Sequence, residues 1–272
     1  MRLGSETSYH KAQENWDALL RDKNAGEVNF ARELFALADV FAAAPALVAA
    51  LEDAARSAED RATLAAAVVD TKASGEVKDL TVGLARERWS ESGDLVRAME
   101  RLGVQTLLSG AQREHQLDAL EAELYSLRSV LGAERELRAT LADERYPLAA
   151  RQQLMTSLLA EYSRYTVELL NRALGKAQDT NLRTTLTSYI EAAGERSQHL
   201  VASVTAAIPL TREQEERLAQ VLSRRFGKDV RIHTTLDTSV VGGVKVLIGS
   251  HVIDGTLASR ISAVKEVFKN GR

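Results

Sequence analysis

The sequence predicts a mostly α protein that ends in a small α+β domain. Three observations predict it. Apolar positions recur at helical spacing from residue 8 to about 198. Helix formers dominate, with only 5% aromatic residues and 3 prolines. After about residue 199, β-prone alternation replaces the helical period. A chain of 272 residues with 45% hydrophobic side chains can bury more than one small core, so two or three units are expected. With 35 basic and 38 acidic groups the charge is nearly balanced, which removes the electrostatic footprint of a nucleic-acid binder. No cysteine is present, so disulfides, thiolate metal sites and cysteine nucleophiles are excluded together.

The helical part reads as follows. Phe30, Leu34, Leu37 and Phe41 form one apolar stripe, and Leu117, Leu120, Leu124, Leu127 and Leu131 form another. Asn24-Ala25-Gly26 ends a first helix, while Ser74-Gly75 and Ser92-Gly93-Asp94 separate later ones. Pro45 and Pro147 sit near helix starts. The most apolar stretch, 41–51, is too short for a membrane span, which needs about 20 residues. The polar N-terminus lacks the apolar core of a signal peptide, so a cytoplasmic setting is expected.

Aligning the chain with itself pairs Leu34 with Leu124, Leu37 with Leu127, Val40 with Val130, Leu51 with Leu141, Asp53 with Asp143 and Arg61 with Arg151. Each pair is 90 positions apart, without a gap between 31 and 69. Two copies of that length fit tandem helical bundles rather than a solenoid. The expected organisation is a first bundle over 1–109, a second over 110–198 and an α+β domain over 199–272.

That last domain reads as a β-α-β-β-β-α unit. Residues 200–208 are a β-prone run closed by Pro209, and Thr211-Arg212-Glu213-Gln214 is a capping box. Leu218, Val221 and Leu222 should face inward from the helix it starts, which Gly227 ends. Residues 230–236 alternate as a strand, and 244–253 read as a hairpin turning at Gly249-Ser250. Asp254-Gly255-Thr256 leads to a last helix with Leu257, Ile261, Val264 and Phe268 on its apolar side.

Catalytic signatures are sparse. None of the five histidines pairs at helical ligand spacing, and neither a nucleophile elbow nor a phosphate-binding glycine loop occurs. His233 and His251, on strands read as adjacent, could meet near Asp237 and Asp254; the plainer reading makes them strand and turn residues. Trp16 and Trp89, the two tryptophans, are either core or the lining of a groove for a partner helix.

The tail carries a longer signature. Val204-Thr205-Ala206-Ala207-Ile208-Pro209-Leu210-Thr211 is followed by Asp237-Thr238-Ser239-Val240-Val241-Gly242-Gly243-Val244 and by Gly249-Ser250-His251-Val252-Ile253-Asp254-Gly255-Thr256. This resembles the C-terminal domain of the delta subunit of F-type ATP synthase, the bacterial counterpart of the mitochondrial oligomycin-sensitivity-conferring protein. Thr256 stands where Ser is common in the family. The helical region is similar to the family's N-terminal bundle by architecture, and its doubling resembles the enlarged actinobacterial form. The motif's own chemistry is that of turns: Asp237 and Ser239 can satisfy backbone, Gly242 and Gly243 allow positive φ, and Asp254-Gly255 turn the chain.

The resemblance implies a non-catalytic peripheral-stalk subunit without cofactor or metal. It would sit at the cytoplasmic face of the membrane, hold the catalytic head against rotor torque, and be no homo-oligomer. Its implied partners are amphipathic N-terminal helices of alpha subunits and the C-terminal end of the b subunit. The family's alpha-binding groove lies between two helices that here correspond to about 7–20 and 77–89. Tyr9, Ala12, Trp16, Leu80, Leu84 and Trp89 are its expected partner-binding residues, Tyr9, Lys11 and Ala12 matching the family's opening Tyr-x-Lys-Ala. The b end should dock on apolar surface of 199–272, including parts of the helix over 212–225. A helical scaffold unrelated to ATP synthase is the alternative.

Overall fold

The computed structural model describes residues 1–23, 26–70, 72–143, 145–176, 181–197, 199–237, 240, 242–248 and 251–256. Among them are twelve helices and four strands, so the chain is mostly α with a small α+β C-terminal domain. The expected last helix, with Leu257, Ile261, Val264 and Phe268, lies outside the described residues, as do Ser239 and the turn at Gly249-Ser250.

The helices are α1 (Leu3–Lys23), α2 (Glu27–Ala42), α3 (Pro45–Glu52), α4 (Ala58–Val69), α5 (Gly75–Arg86), α6 (Asp94–Arg113), α7 (Leu117–Ala133), α8 (Arg135–Ala142), α9 (Leu148–Leu158), α10 (Arg164–Gly175) and α11 (Leu182–Arg196). Strand β1 (Leu200–Ala206), helix α12 (Arg212–Phe226) and strands β2 (Val230–Leu236), β3 (Val244–Ile248) and β4 (His251–Asp254) complete the chain. The starts of α2, α3 and α4 recur 90 positions later as the starts of α7, α8 and α9. No single described helix is long and apolar enough to cross a membrane.

The contacts divide the chain into two compact units, Met1–Leu120 with Met155–Gly175, and Glu121–Leu154 with Lys176–Arg272. In the first, Leu34, Leu37 and Phe41 of α2 pack with Trp16 and Leu20 of α1, Val77 and Leu84 of α5, and Leu95, Met99 and Leu102 of α6. Tight approach requires glycine in α6. A Cβ at Gly103 would lie 2.3 Å from Cε1 of Phe35, and one at Gly110 would lie 2.6 Å from Cε1 of Tyr165. Helix α6 runs unbroken through Ser109 and Gly110, and glycine there makes room for the Tyr165 ring. Gly103→Ala is expected to cost about 1–3 kcal/mol in chemical unfolding, because the added methyl must displace a buried ring. A loss below half a kcal/mol would mean that Phe35 moves freely.

Helix α10 lies on α2 and α6. Its Arg172 crosses the Phe35 ring and bonds Asp39 Oδ2 at 2.7 Å and Glu100 Oε2 at 2.9 Å. Arg32 on α2 pairs with Glu168 on α10, with Nε to Oε2 at 3.0 Å.

In the second unit the sheet order is β2-β1-β3-β4, with β1 and β2 parallel and the other pairs antiparallel. The parallel pair needs a crossover, which α12 supplies. Its capping box is formed: Gln214 N donates to Thr211 Oγ1 and Thr211 N donates to Gln214 Oε1. Gly227, at φ 70°, closes it. Ala202, Val204, Val230, Val246 and Ile248 form the core beneath Leu222. Leu218 is half-buried there, but Val221, expected inward, is 47% exposed. Only a narrow stripe of α12 faces the sheet, and Val221 falls outside it.

Candidate functional site

Helices α1 and α5 flank an open groove of about 210 Å³. Its lining includes Ala12, Trp16, Leu19, Leu80, Gly83 and Leu84, apolar groups spaced three or four apart on each helix. Leu84 and Trp16 form a buried floor, while Ala12, Leu19 and Leu80 are half-buried walls. Nothing lies within 4 Å of where a Cβ on Gly83 would be, so that stretch of α5 is open backbone. The rim is charged. Lys11 Nζ meets Glu87 Oε1 at 2.6 Å, Lys23 Nζ meets Glu76 Oε1 at 2.6 Å, and Asp79 adds a further acid. The hydrogen bond from Lys23 holds the Glu76 carboxyl below its ordinary range.

The expected groove residues divide by position. Ala12, Trp16, Leu80 and Leu84 share this lining; Tyr9 and Trp89 do not. Tyr9 is buried beneath the Arg101 guanidinium, 3.8 Å from its ring centre, and burial pushes its hydroxyl pKa up to about 12. Trp89 lies beyond the end of α5 at Arg86, so the helix expected over 77–89 stops short of it. The Trp89 indole is buried and donates to the Leu84 carbonyl at 3.0 Å, while Trp16 donates to Thr106 Oγ1 at 2.8 Å. Both tryptophans are thus tied into core structure, and only Trp16 also reaches the groove.

The tail motif builds turns. Asp237 N donates to the Ala206 carbonyl. Gly242 and Gly243 have φ of 64° and 78°, and a Cβ on Gly243 would fall 2.4 Å from the Gly255 oxygen. Asp254 Oδ1 accepts from Thr256 N at 3.0 Å and Thr256 Oγ1 at 2.7 Å, bonds that hold its carboxyl below the ordinary range. Gly255 N donates to the Val244 carbonyl at 2.9 Å.

The pairing of His233 with His251 is not made. Their strands, β2 and β4, are opposite edges of the sheet with β1 and β3 between them. His233 instead meets a residue that sequence reasoning missed. Glu121 on α7 is fully buried, its Oε1 2.9 Å from His233 Nε2 and its Oε2 2.8 Å from His199 Nε2. Arg231 Nη1 lies 3.8 Å from Glu121, and Tyr125 stacks on the His233 ring at 4.3 Å. Both carboxylate oxygens are engaged, which makes this a buried clasp rather than an open acid–base site. Among the described residues no group of three or more such side chains is arranged to hold a metal ion.

An apolar trough with a charged rim is a shape that one face of an amphipathic helix fits. The family model described as ATP synthase delta (OSCP) subunit matches residues 104–268. ATP synthase subunit delta of Beutenbergia cavernae is 35% identical over 267 residues, covering 97% of this chain and 98% of that protein. The subunit of the same name from Streptomyces griseus is 33% identical, covering 96% and 97% respectively. That from Salinispora tropica is 36% identical, covering 95% of each. A chain in the cryo-EM structure of the Toxoplasma gondii mitochondrial ATP synthase hexamer matches at a TM-score of 0.38 and 18% identity, over 61% of this chain and 94% of that one. That superposition is too loose to carry residue positions across. The chain belongs to the ATP synthase delta (OSCP) subunit family. A helical scaffold unrelated to ATP synthase is set aside by that membership.

Proposed function

We propose that the chain joins the catalytic head of the ATP synthase to its peripheral stalk, at the cytoplasmic face of the membrane and without chemistry of its own. The α1–α5 groove receives an amphipathic N-terminal helix of an alpha subunit, and the C-terminal domain holds the end of the b subunit. The groove is the observation that carries this reading: an apolar floor with a polar rim takes one helix face and fixes its register. Among the described residues of the C-terminal domain, the large apolar side chains exposed for b are Ile208, Val221 on α12, Leu236 on β2, Leu247 on β3 and Val252 on β4. A peptide copying the alpha N-terminus should bind the full chain. Leu80→Asp, which puts a charge on the half-buried wall, should weaken that binding by about tenfold or more, an unpaired charge in an apolar contact costing well over 1 kcal/mol. Circular dichroism should remain unaltered. Undiminished affinity in the folded variant would place the groove elsewhere.

The organisation expected from the sequence, two bundles over 1–109 and 110–198 ahead of the domain over 199–272, is part of the same proposal. Its support is local. Asp53 ends α3 and Asp143 ends α8 in the same extended conformation. Asp53 Oδ1 accepts from Ala55 N, and Asp143 Oδ1 accepts from Arg145 N. Leu34, Leu37 and Leu51 are buried as are Leu124, Leu127 and Leu141, while Val40 and Val130 are both exposed.

A further inference from the structure

A polar pocket of about 410 Å³ lies wholly within the second unit. Arg128 and Gly132 of α7, Arg183 of α11, and Thr205, Thr235 and Leu236 at the ends of β1 and β2 line it. Thr205 and Thr235 are partners in the parallel register, so their hydroxyl groups share one face of the sheet.

Two guanidinium groups reach this pocket. Arg128 is half-buried and stacks on Tyr125, 4.7 Å from its ring centre. It donates to Thr187 Oγ1 at 3.2 Å and to Ser203 Oγ at 3.0 Å. Those neutral hydroxyls fix its direction and leave its charge unanswered. Arg183 is exposed, and its Cζ would be 3.6 Å from a Cβ at Gly132, so the group lies against bare backbone of α7. Among the described residues neither arginine is paired with a carboxylate. Glu191 on α11 is close enough to feel Arg128, yet partial loss of solvent pushes its carboxyl up, whereas a paired carboxylate would be held down. The acid in the lining itself is Asp237, which is exposed. Two guanidinium groups against one carboxylate leave the lining with one positive charge in excess.

We infer that this pocket takes the terminal carboxylate of the b subunit. The inference rests on the reading that b ends on this part of the chain, and it adds the chemistry by which that end is recognised. Only at its last residue does a backbone offer a carboxylate, and a carboxylate matches a single excess charge, where a phosphate would bring about two. Arg128 and Arg183 donate to its oxygens from two different helices. Leu236, 55% exposed in the same lining, meets the apolar part of the last residues of b.

The test uses the full chain and two peptides copying the C-terminal end of b, one ending in the free acid and one in an amide. Calorimetric titration should show the acid binding about tenfold more tightly, the worth of a hydrogen bond to a charged group. Arg183→Gln, at an exposed position, should bring the two peptides to within about twofold of each other, and Arg128→Gln should do the same. A variant that merely loosened the fold would weaken both peptides alike, so the ratio of acid to amide reads the pocket itself. Equal affinity of acid and amide for the natural chain would overturn the inference and leave b docked by apolar surface. An equal ratio with both peptides weakened by Arg183→Gln would mean that an acidic side chain of b is bound, and the inference would fail. A preference for the acid that survives both substitutions would place the chain end elsewhere and overturn it too. Binding of neither peptide would remove the proposed b contact, and this inference with it.

Discussion

Glu121→Leu is expected to lower the local stability of strands β1 and β2 by about 3–5 kcal/mol, the usual cost of breaking a buried charged cluster from one side. The carboxylate accepts from two imidazole nitrogens, His199 Nε2 and His233 Nε2, on segments 78 and 112 residues away in sequence. Leucine would leave the buried His199 N–H and the half-buried His233 N–H facing a methyl instead of a carboxylate. Glu121→Gln is a different case. The amide keeps one acceptor oxygen, and its NH2 can serve one imidazole if that ring shifts its proton to Nδ1. Its cost should be about 1 kcal/mol. Hydrogen exchange of β1 and β2 amides reads the difference, because both tryptophans report on the first unit. Equal costs for leucine and glutamine would show that shape, and not the shared carboxylate, holds α7 to the sheet.

Why Glu121 was not legible in the sequence is instructive. It lies within the Leu117–Leu131 stripe, one residue after Leu120, where an acid reads as the polar shoulder of an amphipathic helix. Its partners come from far along the chain, and only the folded sheet brings them together. The misplacement of His251 has the same origin. Strand order depends on how β1 inserts between β2 and β3, and no local pattern carries that information. What was legible was periodic or chemically local. The leucine stripes of α2 and α7 are buried, the capping box of α12 has both of its bonds, and Gly242 and Gly243 take positive φ. Of the six residues that the family resemblance puts on the partner-binding face, Ala12, Trp16, Leu80 and Leu84 share one lining. Trp89 lies outside that lining because helix propensity persists through Glu87 and Arg88, whereas the chain turns extended at Glu87.

Arg61→Met should show how closely the first unit's stability and its groove depend on a single buried cation. Arg61 makes five hydrogen bonds to the carbonyls of Asp53, Arg56, Ala85, Arg86 and Glu87. Methionine fills similar space but donates nothing, so several of those oxygens lose a partner at once. A loss of about 3–5 kcal/mol is expected, as for other buried charges whose partners are left behind. Because three of the five carbonyls lie at the end of α5, that end should loosen first. Leu84 would then shift in the groove floor, and Lys11 would lose a fixed Glu87 to pair with. The alpha peptide should accordingly bind more weakly to Arg61→Met than to the natural chain, even at temperatures where both are folded. Arg86→Ala is the control. Arg86 is an exposed partner of Glu59 at the same helix end, and screening by water leaves such a pair little to contribute. Urea unfolding followed by tryptophan emission suits the comparison, since Trp89 donates to the Leu84 carbonyl one turn from the cap. If Arg61→Met unfolds within about 1 kcal/mol of the natural chain and binds the peptide equally well, α5 is held by its apolar face alone.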